Sequence, residues 1–121
     1  MSKVDVVVVD DDKSVRWLLE EMLSFGEISH RVAASGPEGI RLIQEHKPRL
    51  AIVDVRLGSM NGLDVARRTT NGGTKVIFMT GYGDVIKDKV EDDLPVISII
   101  EKPFDIQGLL RIVRNVLDET A

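Results

Sequence analysis

The chain has no cysteine among its 121 residues, which excludes disulfides, thiolate-bound metals and thiol nucleophiles and suits a reducing cytosol. It also lacks a basic surplus, with 16 lysines and arginines against 20 acids and a net charge of -4. Surfaces that bind nucleic acid are usually basic, so direct binding of DNA or RNA is not expected. No apolar run approaches the length needed to cross a membrane. Met1-Ser2-Lys3-Val4-Asp5 has no apolar core of the kind a signal peptide carries. The expected location is the cytoplasm, with no membrane contact. Internal repeats, linkers and low-complexity tails are missing too. What is present is 43% hydrophobic and 30% charged, a composition that suits one globular domain over residues 1–121 with a real core.

Apolar runs and helical stripes alternate along the chain. Val4 to Val9 is β-branched apart from Asp5 and reads as a strand, ending abruptly in Asp10-Asp11-Asp12. Val15, Leu18, Leu19, Met22 and Leu23 then recur at helical spacing, with Gly26 as the stop. Ile28 to Ala34 is a weaker strand. Ser35 and Glu38 form a capping-box pattern opening a helix to about His46, which Lys47-Pro48 ends. Leu50 to Val55 is the third strand, followed by a Gly-containing loop to Gly62 and a short helix from Leu63 to about Thr70. Lys75 to Thr80 is the fourth strand, and Gly81 to Leu94 holds a weak helix. Val96 to Ile100 is the fifth strand. Asp105 caps a last helix with core positions Ile106, Leu109, Leu110, Val113, Val116 and Leu117. Such alternation predicts an α/β fold, a flavodoxin-like (βα)5 unit whose five-stranded parallel sheet runs in the order 2-1-3-4-5 with helices on both faces.

One residue does not suit its surroundings. Asp54 lies in the almost wholly apolar run Leu50-Ala51-Ile52-Val53-Asp54-Val55, and a carboxylate is tolerated there only where the strand ends and water, a metal or a cation reaches it. Parallel sheets bind ligands beyond the carboxyl ends of their strands, at the switch point of strand order. Polar residues at four predicted strand ends converge on that point: Asp10, Asp11 and Asp12, then Asp54, then Thr80, then Lys102. Crowded carboxylates call for a cation, and carboxylate, carbonyl and water oxygens suit Mg²⁺. A lysine and a threonine hydroxyl suit phosphoryl oxygens. With Asp54 as nucleophile, the set describes phosphoryl transfer to a carboxylate.

The segments VVVVDDDKSVRWLLE, IVDVRLGSMNGLDV, VIFMTG and EKPFD, in this order and spacing, resemble the receiver domain of two-component response regulators over essentially the whole chain. The resemblance implies that Asp54 accepts a phosphoryl group from a phosphohistidine on a histidine kinase or phosphotransfer protein. It implies that Asp11, Asp54 and the backbone carbonyl of Arg56 hold Mg²⁺, with Asp10 acting mainly through water. Lys102 would pair with phosphoryl oxygens and draw in Thr80, Lys102-Pro103 would be a cis peptide, and Asp12 takes second rank. An output domain or partner protein is implied, as is the option of a homodimer through the last strand and helices. Ile99 stands where the family usually has an aromatic switch residue, Gly58 where proline is common, and Leu94-Pro95-Val96 near where a small Gly-Ala pair is common. The first and last of these fall on the face through which receivers signal.

Taken singly, each feature has an ordinary reading: acids start loops, a threonine closes a strand, a lysine is solvated. Their joint placement favours the site. Two other functions compete. The run into Asp10-Asp11-Asp12 also resembles haloacid-dehalogenase-like phosphatases, with Asp10 as nucleophile and Asp12 as acid/base, although that leaves Asp54 without a role. A pseudo-receiver that binds partners unphosphorylated is the other. Flavin or dinucleotide binding is disfavoured because three acids, not a glycine-rich loop, follow the first strand. Trp17 is expected as a partly buried flank of the first helix, with a kinase contact as the sharper reading. Met60 is expected to pack beneath Asp54, Arg67 and Arg68 to be solvated, and His30 and His46 to have no ligand role.

Overall fold

A computed structural model describes residues 3–58, 60–69, 72–81 and 94–119. Five parallel strands form one sheet: β1 (Val6–Val9), β2 (His30–Ala33), β3 (Leu50–Asp54), β6 (Lys75–Thr80) and β7 (Val96–Glu101), in the order β2-β1-β3-β6-β7. Two further short strands, β4 (Arg56–Leu57) and β5 (Met60–Asn61), make a separate antiparallel hairpin between β3 and the third helix. The predicted order is therefore borne out, with the hairpin interposed where only a loop was expected. Two-residue strands carry too few side chains for any periodicity to reveal them.

The apolar runs are continuous because both faces of the sheet are covered. Val7 and Val9, Ala51 and Val53, Val76 and Phe78 point into one core, with Leu42 and Ile43 of α2 (Gly36–His46) and Leu63, Val65 and Ala66 of α3 (Gly62–Thr69). Their alternate neighbours Val6, Val8, Leu50, Ile52, Ile77 and Met79 point into the other core. There they meet Leu19, Met22 and Leu23 of α1 (Lys13–Phe25), and Leu109, Val113 and Val116 of α4 (Ile106–Glu119). The weak helix expected between Gly81 and Leu94 falls on residues 82–93, outside the described residues.

Several local expectations need correction. The helix α1 does stop at Gly26, but Gly26 has φ -79° and the left-handed residue is Glu27 at φ 57°. The glycine is suited by space: a Cβ there would lie 3.1 Å from Leu110 and 3.2 Å from Ile28. Lys47 does leave the right-handed helical region before Pro48, yet it turns left-handed at φ 46° and not extended. Leu18, placed in the core stripe, is 37% exposed, and Trp17 is 62% exposed and not a half-buried flank. The α1 stripe facing the sheet is narrower than the run of apolar residues, so these two adjacent side chains fall on its outer side.

Candidate phosphoacceptor and metal site

The chemistry gathers where β1 and β3, neighbours in the sheet, come to their carboxyl ends. Both strands end in the same local device. The Asp12 N–H donates to Oδ1 of Asp10 at 2.8 Å, and the Arg56 N–H donates to Oδ1 of Asp54 at 3.0 Å. A carboxylate that accepts from the backbone two residues on forms a turn that ends an extended run. Each acid thus spends one oxygen on its own turn and keeps the other for the site. Those second oxygens share one cation: Lys102, just beyond β7, donates from Nζ to Oδ2 of Asp54 at 2.9 Å and to Oδ2 of Asp10 at 3.0 Å.

Burial differs sharply across the set. Asp10 is fully buried and Asp54 is 7% exposed, while Asp11 is exposed. Burial pushes the Asp10 carboxyl above its usual value and the Asp54 charge adds to this, against the Asp12 N–H and Lys102, which act to lower it. For Lys102, burial acts to lower the pKa, but the hydrogen bonds and charges of Asp54 and Asp10 outweigh it and leave it raised. The Lys102 ammonium thus ties together the two carboxyl groups at the ends of β1 and β3.

An open pocket of about 610 Å³ lies over these groups, lined among others by Asp11, Asp54, Arg56, Gly58, Asn61 and Lys102. Carboxylate oxygens of Asp10, Asp11 and Asp54 lie within 4.8 Å of one another. A hard divalent cation takes such oxygens and keeps part of its water shell, so an all-oxygen cluster with an open side fits Mg²⁺.

The hairpin over the pocket is fixed by close packing. A Cβ at Gly62 would collide with the carbonyl oxygen of Asp54, and a Cβ at Gly36 would collide with the Met60 side chain. Met60 therefore packs against the start of α2 and lines the pocket, instead of lying beneath Asp54. Asn61 accepts from the Leu63 N–H at 2.8 Å, starting α3 at the pocket rim. Gly62, Asn61 and Arg16 escape a reading by residue type. The signal for Gly62 is a glycine that opens a helix, which points to a close approach.

The remaining candidates are placed as follows. Asp12 is the N-cap of α1, its side chain accepting from Ser14 N–H at 2.8 Å and Val15 N–H at 3.4 Å. Thr80 ends β6 with 5% exposure, and its carbonyl accepts the Lys102 N–H at 2.8 Å. The Lys102-Pro103 peptide is cis, as the resemblance implied. Ile99 pairs with Phe78 and packs, half-buried, on the core beside α2 and α3. The His30 Nδ1–H donates to the Ile28 carbonyl at 2.8 Å, a backbone tie and not a ligand position.

Comparison with known proteins agrees with this geometry. The family model described as the response regulator receiver domain matches residues 6–114. Over 120 residues the chain is 32% identical to the response regulator MprA of Mycobacterium sp. (strain KMS), covering 98% of this chain and 52% of that protein. It therefore spans about half the length of the MprA relatives it matches. Sporulation initiation phosphotransferase F of Bacillus subtilis (strain 168) is 26% identical over 119 residues, covering 97% of this chain and 96% of that protein. A solved CheY-like response regulator receiver domain protein from Methanospirillum hungatei JF-1 superposes with a TM-score of 0.88 at 27% identity, covering 98% and 96% of the two chains. The chain belongs to the response regulator receiver domain family of two-component systems.

Proposed function

We propose that Asp54 is the phosphoacceptor of this receiver, and that Asp10, Asp11, Asp54 and the Arg56 carbonyl hold the Mg²⁺ on which its phosphorylation depends. The observation that carries the reading is the shared cation: two acids from adjacent strand ends meet one lysine at 2.9 and 3.0 Å, and of the three groups Asp54 and Lys102 line an open pocket. A carboxylate oxygen of Asp54 attacks the phosphorus of a phosphoimidazole, forming a P–O bond as the P–N bond breaks. The imidazole nitrogen leaves and takes up a proton. Bound Mg²⁺ supplies charge neutralisation for the phosphoryl oxygens. Lys102 is already within hydrogen-bond reach of Asp54, so its ammonium follows the negative charge onto the phosphoryl group. Thr80, joined to Lys102 through the backbone, is the hydroxyl placed to respond. Water entering the same open pocket then hydrolyses the acyl phosphate, which returns Asp54 to its carboxylate.

The donor is a histidine kinase or phosphotransfer protein of the cytoplasm. Residues 1–121 form the receiver, which controls an output domain or a partner protein. Ile99 transmits the switch through packing alone, since it has no hydroxyl to rotate toward Thr80. Phosphatase chemistry at Asp10 and Asp12 is disfavoured, because Asp10 is fully buried against Lys102 and Asp12 is committed to capping α1.

Intact-mass spectrometry after incubation with Mg²⁺ and acetyl phosphate tests this. One added phosphoryl group is expected, absent in Asp54→Asn and absent when EDTA removes the metal. Turnover of phosphate esters that requires Asp10 but not Asp54 would favour the phosphatase. No adduct with any donor would leave an unphosphorylated binding module.

A further inference from the structure

Of the three clustered acids, Asp11 is the one whose carboxylate has no hydrogen bond or ion pair among the described residues, and it is exposed. Its direction is therefore set by the backbone on either side. The peptide joining Asp11 to Asp12 is pinned by the Asp12 N–H on Asp10 Oδ1 at 2.8 Å. The peptide joining Asp10 to Asp11 is pinned from elsewhere: the Arg16 guanidinium, half-buried in the second turn of α1, donates to the Asp10 carbonyl at 2.8 Å. Arg16 forms no ion pair with an acid among the described residues, so this carbonyl is what its guanidinium is directed at.

We propose that Arg16 is a positioning residue of the metal site, fixing the Asp10–Asp11 peptide so that the Asp11 carboxylate faces the cation position it shares with Asp10 and Asp54. The proposal rests on the metal-site reading above and adds what aims Asp11. A guanidinium is planar and directional, so it fixes a peptide plane in a way that a mobile ammonium does less well.

Amide chemical shifts titrated with Mg²⁺ alone test the proposal in wild type, Arg16→Gln, Arg16→Lys, Asp11→Asn and Asp11→Asn with Arg16→Gln. Arg16→Gln is expected to weaken Mg²⁺ binding roughly tenfold, as loss of an outer partner of a metal ligand does, and Arg16→Lys to recover part of it. In the Asp11→Asn background Arg16→Gln should change the affinity no further, because the group it aims is gone. A helix tie with no role in aiming would move the urea midpoint yet leave this dependence on Asp11 absent. Unchanged Mg²⁺ affinity in folded Arg16→Gln, or equal weakening with and without the Asp11 carboxylate, overturns the proposal. Should Arg16→Gln not fold, Arg16→Lys carries the same comparison in both backgrounds, with unchanged affinity as the overturning result. If wild type itself binds no Mg²⁺, the metal-site reading fails first, and that outcome is separable from all of these.

Discussion

Asp10 and Lys102 sit 3.0 Å apart, and both make the fold less stable as pH rises, each in its own pH window. Burial raises the Asp10 pKa above the unfolded value of 3.8, so the folded chain holds that proton more tightly than the unfolded one. The resulting penalty is absent below 3.8, grows as pH rises toward the folded pKa, and is complete above it. Lys102 is raised above 10.5, so its stabilisation is fully present below 10.5 and is lost as pH rises through the folded value. Without metal, Asp10→Asn is therefore expected to raise the urea midpoint at neutral pH, and the gain should shrink as pH falls through the folded Asp10 pKa. A lower midpoint for Asp10→Asn at neutral pH would contradict this account of burial. The residues that residue type alone failed to reveal act through backbone, not charge. Gly62 is needed because a side chain would meet the Asp54 carbonyl, and such a contact is written in three dimensions only.

Among the elements, what the sequence revealed best was what local chemistry dictates. The run of valines in β1, the Ser35 cap on α2 and the last helix all follow from side chains acting on their own backbone or on period alone. The capping box of α2 forms with one change: Glu38 reaches back to the Ala34 N–H at 3.0 Å, one residue before the cap. The site residues were legible for the same reason, since acids at strand ends must find a turn, a cation or water. What stayed hidden depends on neighbours: the hairpin over Gly58, the outward turn of Leu18, and the exposure of Trp17. Asp12 allows a test at this scale. Asp12→Ala removes the α1 cap and is expected to cost about 1 kcal/mol, read from urea unfolding. Phosphorylation of Asp54 by acetyl phosphate should persist in that variant. Its loss in folded Asp12→Ala would place Asp12 in the chemistry and revive the phosphatase reading.

At the scale of the whole molecule, one sheet separates two cores, and every central strand contributes to both. Phe78, fully buried on the α2–α3 side, is the largest of these side chains. Phe78→Ala is expected to lower stability by about 3–5 kcal/mol, the range for losing a buried phenyl ring. Because β6 also holds Ile77 and Met79 in the opposite core, hydrogen exchange should speed up in α1 and α4 as well as in α2. Loss of protection confined to α2 and α3 would mean that the two cores unfold separately.

The bonds from Lys102 to Asp54 and Asp10 span 48 and 92 residues of sequence. During synthesis the strands that carry Asp10 and Asp54 emerge well before the lysine that neutralises them. A nascent chain that has closed β1 against β3 therefore holds an uncompensated acid pair, which repels itself until β7 is added. Only a chain whose final strand has docked therefore places the Asp54 carboxylate beside a cation.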